Sequence, residues 1–309
     1  MSTATSTDHE RRRLGRTALW VSPIGFGGAS LGIKGYLSDE DRTSATFREE
    51  AIGAIHLALD GGINLVDTAP GYGNGRSEAI VGDALVGRRE EVVLTTKCSI
   101  DTAGTPERWQ ANLEASLRRL RTDRVDVLQF HGATYTDELL GRMLSCGIVD
   151  WAEEQKRLGL TRFIGITAEN SSASLETLIR SERFDVLQIA FNLINQGHCD
   201  YSRADQGMLT GIVPLARSLD MGILTMRTTT SGFLQALLPL EFPGVTPAAA
   251  ARLAIRFALS VPEVHCALVG MTCRNVVRNN LRLMHDPTQR LDPTRLHQRF
   301  PKGRQPESG

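Results

Sequence analysis

The sequence predicts a single (β/α)8 barrel, the TIM-barrel fold, preceded by an N-terminal β-hairpin. The main observation is that eight short apolar or β-branched segments alternate with longer segments of helical periodicity over about 250 residues, the usual length of such a barrel. The other fold considered is an open doubly wound sheet, which usually begins with a GxGxxG pattern. Neither GFGGAS (25–30) nor GYGNGR (71–76) completes that pattern, because Arg76 stands where the second segment needs its third glycine.

The eight predicted strands share a short run of apolar and β-branched residues that suits a sheet buried on both faces. In chain order they are VSPIGFGG (21–28), INLVDTA (63–69), EVVLTTK (91–97), VDVLQFHG (125–132), TRFIGITA (161–168), DVLQIAFN (185–192), GILTMRT (222–228) and CALVGM (266–271).

The segments between the strands carry helical signals. In EEAIGAIHLALDGG (49–62), apolar residues at 52, 55 and 59 share one helical face, and two glycines can end the helix. TPERWQANLEASLRRL (105–120) starts with Thr105 as an N-cap and Pro106 at the first helical position. SSASLETLIRSERF (171–184) and TPAAAARLAIRFALS (246–260) follow the same plan.

The start of the chain, RRLGRTALWVSP (12–23), reads as strand, turn and strand, and such a hairpin could plug the bottom of the barrel. We expect one domain over residues 13–297. Residues 1–12 and 298–309 are polar, and we expect them to be flexible extensions.

Composition excludes several classes of function. The chain has 35 basic and 35 acidic residues and shows no basic stripe, which argues against a nucleic-acid partner. Its apolar runs are too short for a membrane span, and its start has no hydrophobic signal segment. Five scattered cysteines indicate free thiols in a reducing compartment, so we expect a cytoplasmic protein. His265, Cys266 and Cys273 lack a second close-spaced ligand pair, so no metal site is expected.

Four polar residues stand at or just beyond the ends of neighbouring predicted strands, where the active site of a barrel of this class lies. Asp67 follows INLV, Lys97 follows VVLTT and His131 follows VDVLQF, while Tyr72 lies in the loop after Asp67. Each alone has an ordinary structural explanation, as a helix cap, a solvated lysine or a core histidine. All four together predict a site.

These residue types suit the protonation of an oxygen atom. A free tyrosine has a pKa of about 10, and a nearby ammonium favours the phenolate and lowers that pKa. A carboxylate keeps the lysine charged, and a histidine can hydrogen-bond a carbonyl oxygen. None of these side chains can carry a hydride, so reduction of a carbonyl by this set implies a nicotinamide cofactor.

The segments DTAPGYGNGRSE, TTK and LQFHG resemble the DTAxxYGxGxSE, strand-end lysine and strand-end histidine motifs of the aldo-keto reductase superfamily. The resemblance extends from RRLGRTALWVSPIGFGG to LVGMTCRNVVRNNLRL, nearly the whole chain. It implies a catalytic tetrad of Asp67, Tyr72, Lys97 and His131, and a barrel that binds NADP(H) without a Rossmann domain.

The resemblance also implies a set of cofactor-binding positions, from the nicotinamide end to the adenosine end. They are Gly27, Gly28, Asp67, Thr167, Gln188, Met226, Arg227, Gly270, Thr272, Arg274 and Asn280. Met226 would stack on the nicotinamide where many relatives have an aromatic ring, and Arg227 would reach the diphosphate.

At the adenosine end the chain departs from the family pattern, with Val276 where Gln or Arg is frequent and Asn279 where Glu is frequent. Arg274 and Arg278 are the alternative ligands of a 2′-phosphate, because guanidinium groups suit phosphate. We therefore expect NADP(H) to be favoured over NAD(H).

The sequence thus predicts an oxidoreductase that reduces an aldehyde or ketone, sugar-like substrates included, to an alcohol, or runs the reverse. Two alternatives remain at this point, a binding or regulatory subunit with slow turnover and a class I aldolase-like enzyme that uses Lys97 for a Schiff base. Lys34, Tyr36 and Phe233 are the residues proposed as walls of the substrate pocket. Substrate identity, reaction direction and oligomeric state are not predicted.

Overall fold

The computed structural model describes residues 10–34, 41–204 and 207–295. The chain starts with a small antiparallel hairpin, β1 (Arg12–Arg13) and β2 (Trp20–Val21), in which Arg12 pairs with Val21. The hairpin predicted from the sequence is confirmed. The expected extension up to residue 9 and the tail from 298 to 309 lie outside the described residues.

Eight parallel strands form a closed barrel in which each strand pairs with the next and β11 pairs with both β8 and β12. All eight predicted strands are confirmed. They are β3 (Ile24–Gly27), β4 (Leu65–Asp67), β5 (Val93–Ser99), β6 (Val125–His131), β7 (Thr161–Ala168), β8 (Val186–Ala190), β11 (Gly222–Met226) and β12 (Cys266–Gly270). A further antiparallel pair, β9 (Asp200–Arg203) and β10 (Met208–Thr210), lies outside the barrel sheet.

Helices connect the strands on the outside of the barrel. They are α1 (Ala29–Gly32), α2 (Ala45–Asp60), α3 (Arg76–Ala84), α4 (Pro106–Leu120), α5 (Asp137–Ser145), α6 (Ile148–Arg157), α7 (Ala173–Arg180), α8 (Ile212–Ser218), α9 (Phe233–Glu241), α10 (Pro247–Leu259) and α11 (Arg274–His285). Within the described ranges, no helix is both long enough and apolar enough to cross a membrane.

The predicted start of α4 is confirmed in detail. The Thr105 hydroxyl accepts a hydrogen bond from the backbone N–H of Arg108, and Pro106 occupies the first turn, where its missing N–H costs nothing. Leu113, Leu117 and Leu120 on one face of the helix are buried against the barrel. Burial of that stripe is what holds the helix on the sheet.

The hairpin closes the N-terminal end of the barrel. Leu14, Leu19 and Val21 are buried in one cluster with residues near the starts of the barrel strands, among them Leu65 and Val127. The backbone N–H of Arg16 donates to the carbonyl of Asp220, just before β11, at 2.6 Å. With this end filled by apolar side chains, the C-terminal ends of the strands remain as the accessible mouth.

Candidate active site

At the mouth of the barrel, Lys97 and Asp67 form a buried ion pair. The Lys97 Nζ lies 2.7 Å and 2.8 Å from the two carboxylate oxygens of Asp67 and donates to the carbonyl of Thr68 at 2.9 Å. The side chains are 0% and 4% exposed, respectively. Removing two charges from water is costly, so such a pair persists only when both partners are well hydrogen-bonded.

Two further donors complete the shell around the Asp67 carboxylate. The Thr95 hydroxyl donates to Oδ1 at 2.7 Å, and the Gln129 Nε2 donates to the same oxygen at 3.2 Å. Gln129 also donates to the Gln188 Oε1 at 2.9 Å. Sequence reasoning missed Gln129, although a glutamine inside the apolar run VDVLQF was a signal, because a buried amide needs partners.

Tyr72 lies against both Lys97 and His131. The Lys97 Nζ is 4.9 Å from the centre of the tyrosine ring, and the rings of Tyr72 and His131 meet edge to face with their centres 5.8 Å apart. Burial alone lowers the pKa of Lys97, but the charge of Asp67 and the interaction with Tyr72 outweigh it and raise that pKa above its ordinary value. Lys97 is therefore an ammonium at neutral pH.

His131 is neutral under the same conditions. Burial, and secondly the charge of Lys97, lower its pKa to about 4, while Asp67 and Glu169 oppose the shift. The side chain still borders the open cavity at the barrel mouth. A neutral imidazole at this place can donate one hydrogen bond to a ligand oxygen without adding a charge.

A cavity of about 310 Å³ opens in front of these groups. Six of the predicted cofactor-binding residues line it together with Tyr72 and His131, namely Gly27, Asp67, Gln188, Met226, Arg227 and Gly270. The Gln188 Nε2 contacts the Met226 sulfur at 3.6 Å. Three of the four predicted catalytic residues, Asp67, Tyr72 and His131, therefore share one cavity with this part of the predicted cofactor set.

Among the predicted residues that do not line this cavity, Thr167 and Gly28 have other contacts. The hydroxyl of Thr167 is occupied by Gly132, since it donates to the carbonyl at 2.9 Å and accepts from the N–H at 3.0 Å. At Gly28, a Cβ would lie 2.7 Å from both the Asp67 carbonyl oxygen and the Ser77 hydroxyl oxygen. Close packing against these two oxygens is a sufficient reason for glycine at this position.

An ion pair that the sequence did not predict spans one side of the cavity. The Arg227 Nε donates to the Glu169 Oε2 at 2.6 Å, and both residues line the cavity. Arg227 has a φ of 54°, a left-handed conformation that is uncommon outside glycine. Glu169 immediately follows β7, so its place at a strand end was the signal that could have identified it.

The predicted adenosine-end residues lie on and before α11. Asn280 borders a second cavity, of about 390 Å³, between α10 and α11, and its Nδ2 is buried with no hydrogen-bond partner in the described part of the chain. Thr272 lies in the loop between β12 and α11. Arg274 is turned towards Glu50, whose carboxylate accepts from its backbone N–H at 2.8 Å and pairs with its guanidinium. The first turn of α11 is thus already next to an anionic group.

The residues proposed as substrate-pocket walls are not brought to the catalytic cavity. Lys34 and Phe233 are exposed, Phe233 by 55%, and neither lines that cavity. Tyr36 lies outside the described residues. Among the described residues, no group of three or more potential ligands could hold a metal ion.

Comparison with known proteins agrees with this geometry. A model of the Aldo/keto reductase family matches residues 23–238. The chain belongs to the aldo/keto reductase family. This membership makes it an oxidoreductase, and the matched range includes all four positions of the predicted tetrad.

Named relatives and solved structures agree with the assignment to the aldo/keto reductases. The chain is 29% identical to L-galactose dehydrogenase of Arabidopsis thaliana, with 89% of this chain and 88% of the relative covered. It is 29% identical to the NADH-specific methylglyoxal reductase of Escherichia coli, with 65% of this chain and 69% of the relative covered. The fold superposes with a TM-score of 0.70 on an aldo/keto reductase of Klebsiella pneumoniae crystallised with NADP and acetate, at 22% identity and 94% coverage of both chains.

Proposed function

We propose that this aldo/keto reductase reduces an aldehyde or ketone to an alcohol, or runs the reverse, with a nicotinamide cofactor as hydride carrier and Tyr72 as general acid and base. The supporting observation is that Tyr72 and a neutral His131 line one cavity, and that the charged Lys97 lies directly behind them, with its Nζ 4.9 Å from the centre of the Tyr72 ring. The reduced nicotinamide supplies the hydride when it is bound. The side chains supply the proton and hold the carbonyl oxygen.

Each residue of the tetrad has a distinct task in this proposal. Tyr72 gives its phenolic proton to the carbonyl oxygen, and the Lys97 ammonium stabilises the phenolate that remains. Asp67 keeps Lys97 charged and in place through two short hydrogen bonds. His131 donates a hydrogen bond to the same carbonyl oxygen, where negative charge develops.

The residues at the barrel mouth fit a dinucleotide. Gln188 and Met226 border the catalytic cavity, where a carboxamide and an aromatic ring could be held. The unpartnered Nδ2 of the buried Asn280 is a donor that an adenine nitrogen could satisfy. The two cavities would then take the two ends of the cofactor.

We favour NADP(H) over NAD(H), with a different set of arginines from the one first expected. Arg274 is engaged by Glu50, whereas Arg252 and Arg282 are exposed and border the second cavity, where a 2′-phosphate would need a cation. Asp286 also borders that cavity and opposes the preference by its charge. The proposed preference for NADP(H) therefore requires that the attraction of a 2′-phosphate to Arg252 and Arg282 exceed its repulsion by Asp286.

The proposed substrates are small, polar carbonyl compounds, sugars included. The catalytic cavity is small at about 310 Å³, and its rim carries Glu169 and Arg227, which can hydrogen-bond hydroxyl groups. Relatives named for L-galactose and for methylglyoxal are consistent with this class. Free thiols at all five cysteines fit the expected cytoplasmic location, which stays a prediction.

The raised pKa of Lys97 argues against the aldolase-like alternative. A Schiff base requires a neutral amine as nucleophile, and here the ion pair with Asp67 holds the proton on the nitrogen.

The test combines fluorescence titration with NADPH and with NADH, and turnover of a carbonyl panel that includes methylglyoxal and aldoses. Tyr72→Phe should lower turnover by about 10²- to 10⁴-fold, the usual contribution of general acid catalysis, and leave cofactor affinity within a few-fold. The matched control is Tyr135→Phe, which removes a hydroxyl that donates to the Thr167 carbonyl at 3.1 Å and does not line the cavity. Equal activity of the two variants would refute the role of Tyr72. Cofactor binding without turnover of any carbonyl would instead favour a binding subunit.

A further inference from the structure

A third cavity, of about 570 Å³ and with a polar lining, lies on the N-terminal face of the barrel, at the end opposite the catalytic cavity. We call it the basal pocket and define it by its charged and titratable lining residues, Glu10, Arg12, Arg13, Arg217, His265 and Arg290. They come from the start of the chain, the C-terminal end of α8, the residue before β12 and the segment after α11. None of them belongs to the proposed catalytic or cofactor-binding set.

Positive charge exceeds negative charge in the basal pocket. Arg13 makes a two-pronged pair with Asp220, at 2.9 Å and 2.8 Å. Glu10 is shared by Arg12 at 3.0 Å and Arg290 at 3.6 Å. Asp286 is a third carboxylate, whose charge acts on Arg290. Within the described part of the chain, these three carboxylates face four guanidinium groups, which leaves an excess of one positive charge.

Three of the four arginines are fixed by the backbone. Arg12 donates to the carbonyls of residues 264 and 259, at 2.9 Å and 3.3 Å, and Arg290 to those of residues 283 and 284, at 2.9 Å and 3.1 Å. Arg13 donates to the carbonyl of residue 15 at 2.7 Å. A backbone carbonyl carries no net charge, so these hydrogen bonds fix the three guanidinium groups in place and leave their positive charges available to a ligand.

Arg217 is the exception among the four. Its Nη1 contacts the His265 Nε2, and its Nε and Nη2 have no hydrogen-bond partner among the described residues. His265 is fixed on its other side, where its Nδ1 accepts the N–H of Ile223 at 2.8 Å. Burial first, and then the charges of Arg217, Arg12 and Arg13, lower the pKa of His265 to about 4, with Asp220 opposing. The positive charges of Arg217, Arg12 and Arg13 therefore all act on His265 in this pocket.

We propose that the basal pocket is a binding site for a small phosphoryl-bearing anion, with Arg217 as its principal ligand. A guanidinium with two open donors can form a two-pronged charge-assisted contact to phosphate oxygens. The excess of positive charge favours an anionic ligand, and the planar guanidinium of Arg217 suits the oxygen atoms of a phosphoryl group. Because the pocket is at the far end of the barrel, its ligand and the cofactor can be bound at the same time.

The experiment is calorimetric titration of the full-length protein with inorganic diphosphate at about 0.15 M salt, where weak surface contacts are screened. It is done with and without saturating NADP⁺, because diphosphate could also enter the cofactor site. We expect a binding signal that persists with NADP⁺ and weakens at least about tenfold in Arg217→Gln. Arg180→Gln, at the exposed end of α7 and not part of the basal pocket, is the matched control and should keep the parent affinity.

A second variant protects the test against misfolding of the first. Pro262 is an exposed residue that also lines the basal pocket, and Pro262→Glu adds a negative charge without removing an arginine contact. This variant should also weaken diphosphate binding, while carbonyl reduction stays at the parent level. Three results would overturn the proposal: no binding to the parent, binding that NADP⁺ abolishes, or equal affinity in Arg217→Gln and Arg180→Gln. Each outcome is independent of whether the protein reduces carbonyl compounds.

Discussion

Removal of Lys97 tests how the buried ion pair divides its effect between stability and catalysis. In Lys97→Met the Asp67 carboxylate stays buried, at 2% exposure, with no cation beside it. Breaking a buried pair in this way typically costs about 3–5 kcal/mol. Asp67 keeps the hydrogen bonds from Thr95 and Gln129, so we expect the lower end, about 3 kcal/mol. Turnover should fall by at least about 10²-fold, because the phenolate of Tyr72 loses its stabilising charge.

The double variant Asp67→Asn with Lys97→Met separates the two effects. It removes both charges and leaves a neutral amide that can still accept from Thr95, so most of the lost stability should return. Activity should not return, because the ammonium is still absent. Urea unfolding followed by tryptophan fluorescence gives the stability of each variant, and oxidation of NADPH gives the turnover.

The pH dependence of the parent gives an independent check on the same pair. The folded-state pKa of Lys97 is raised, so its contribution to stability is complete below the unfolded pKa of about 10.4 and is lost only as pH rises through the higher folded value. The contribution of Lys97 to stability should therefore stay constant between about pH 6 and 9. If Lys97→Met unfolds within about 1 kcal/mol of the parent, or if the double variant is no more stable than the single one, the account of the buried pair is wrong.

Three further predictions follow from single residues. For His131, with its pKa lowered to about 4, NMR titration should show a neutral ring at pH 6, and its contribution should make the protein less stable as pH falls from about 6.5 towards 4, because the unfolded chain binds that proton first. A ring that titrates near 6.5 would contradict this. Gln129→Leu removes a donor to Asp67 and leaves the Gln188 oxygen without that partner, so urea unfolding should show a loss of about 1–3 kcal/mol. No loss would show that the amide network carries little energy. Leu14→Ala in the hairpin plug should cost about 2–5 kcal/mol with KM unchanged, whereas Leu144→Ala, at a side chain that is 46% exposed, should cost less than about 0.5 kcal/mol. Equal effects of the two alanine substitutions would mean that the plug is not part of the core.

The local patterns of the sequence determined the elements of this protein. All eight barrel strands, the hairpin and the cap of α4 at Thr105 follow from apolar periodicity and backbone hydrogen-bonding needs that act within a few residues. The same patterns placed Asp67, Lys97 and His131 at strand ends. Because parallel strand ends meet at one edge of a closed barrel, their convergence could be expected as well.

Only the tertiary structure decided which charged groups meet. Arg227 pairs with Glu169, which is 58 positions away in the sequence. Arg274 pairs with Glu50, which is 224 positions away. The basal pocket likewise joins Arg217 to His265 across 48 positions. Residue type and spacing report whether a side chain is buried or exposed. They do not report which distant partner the closure of the barrel brings beside it, and for charged groups the identity of that partner decides the chemistry.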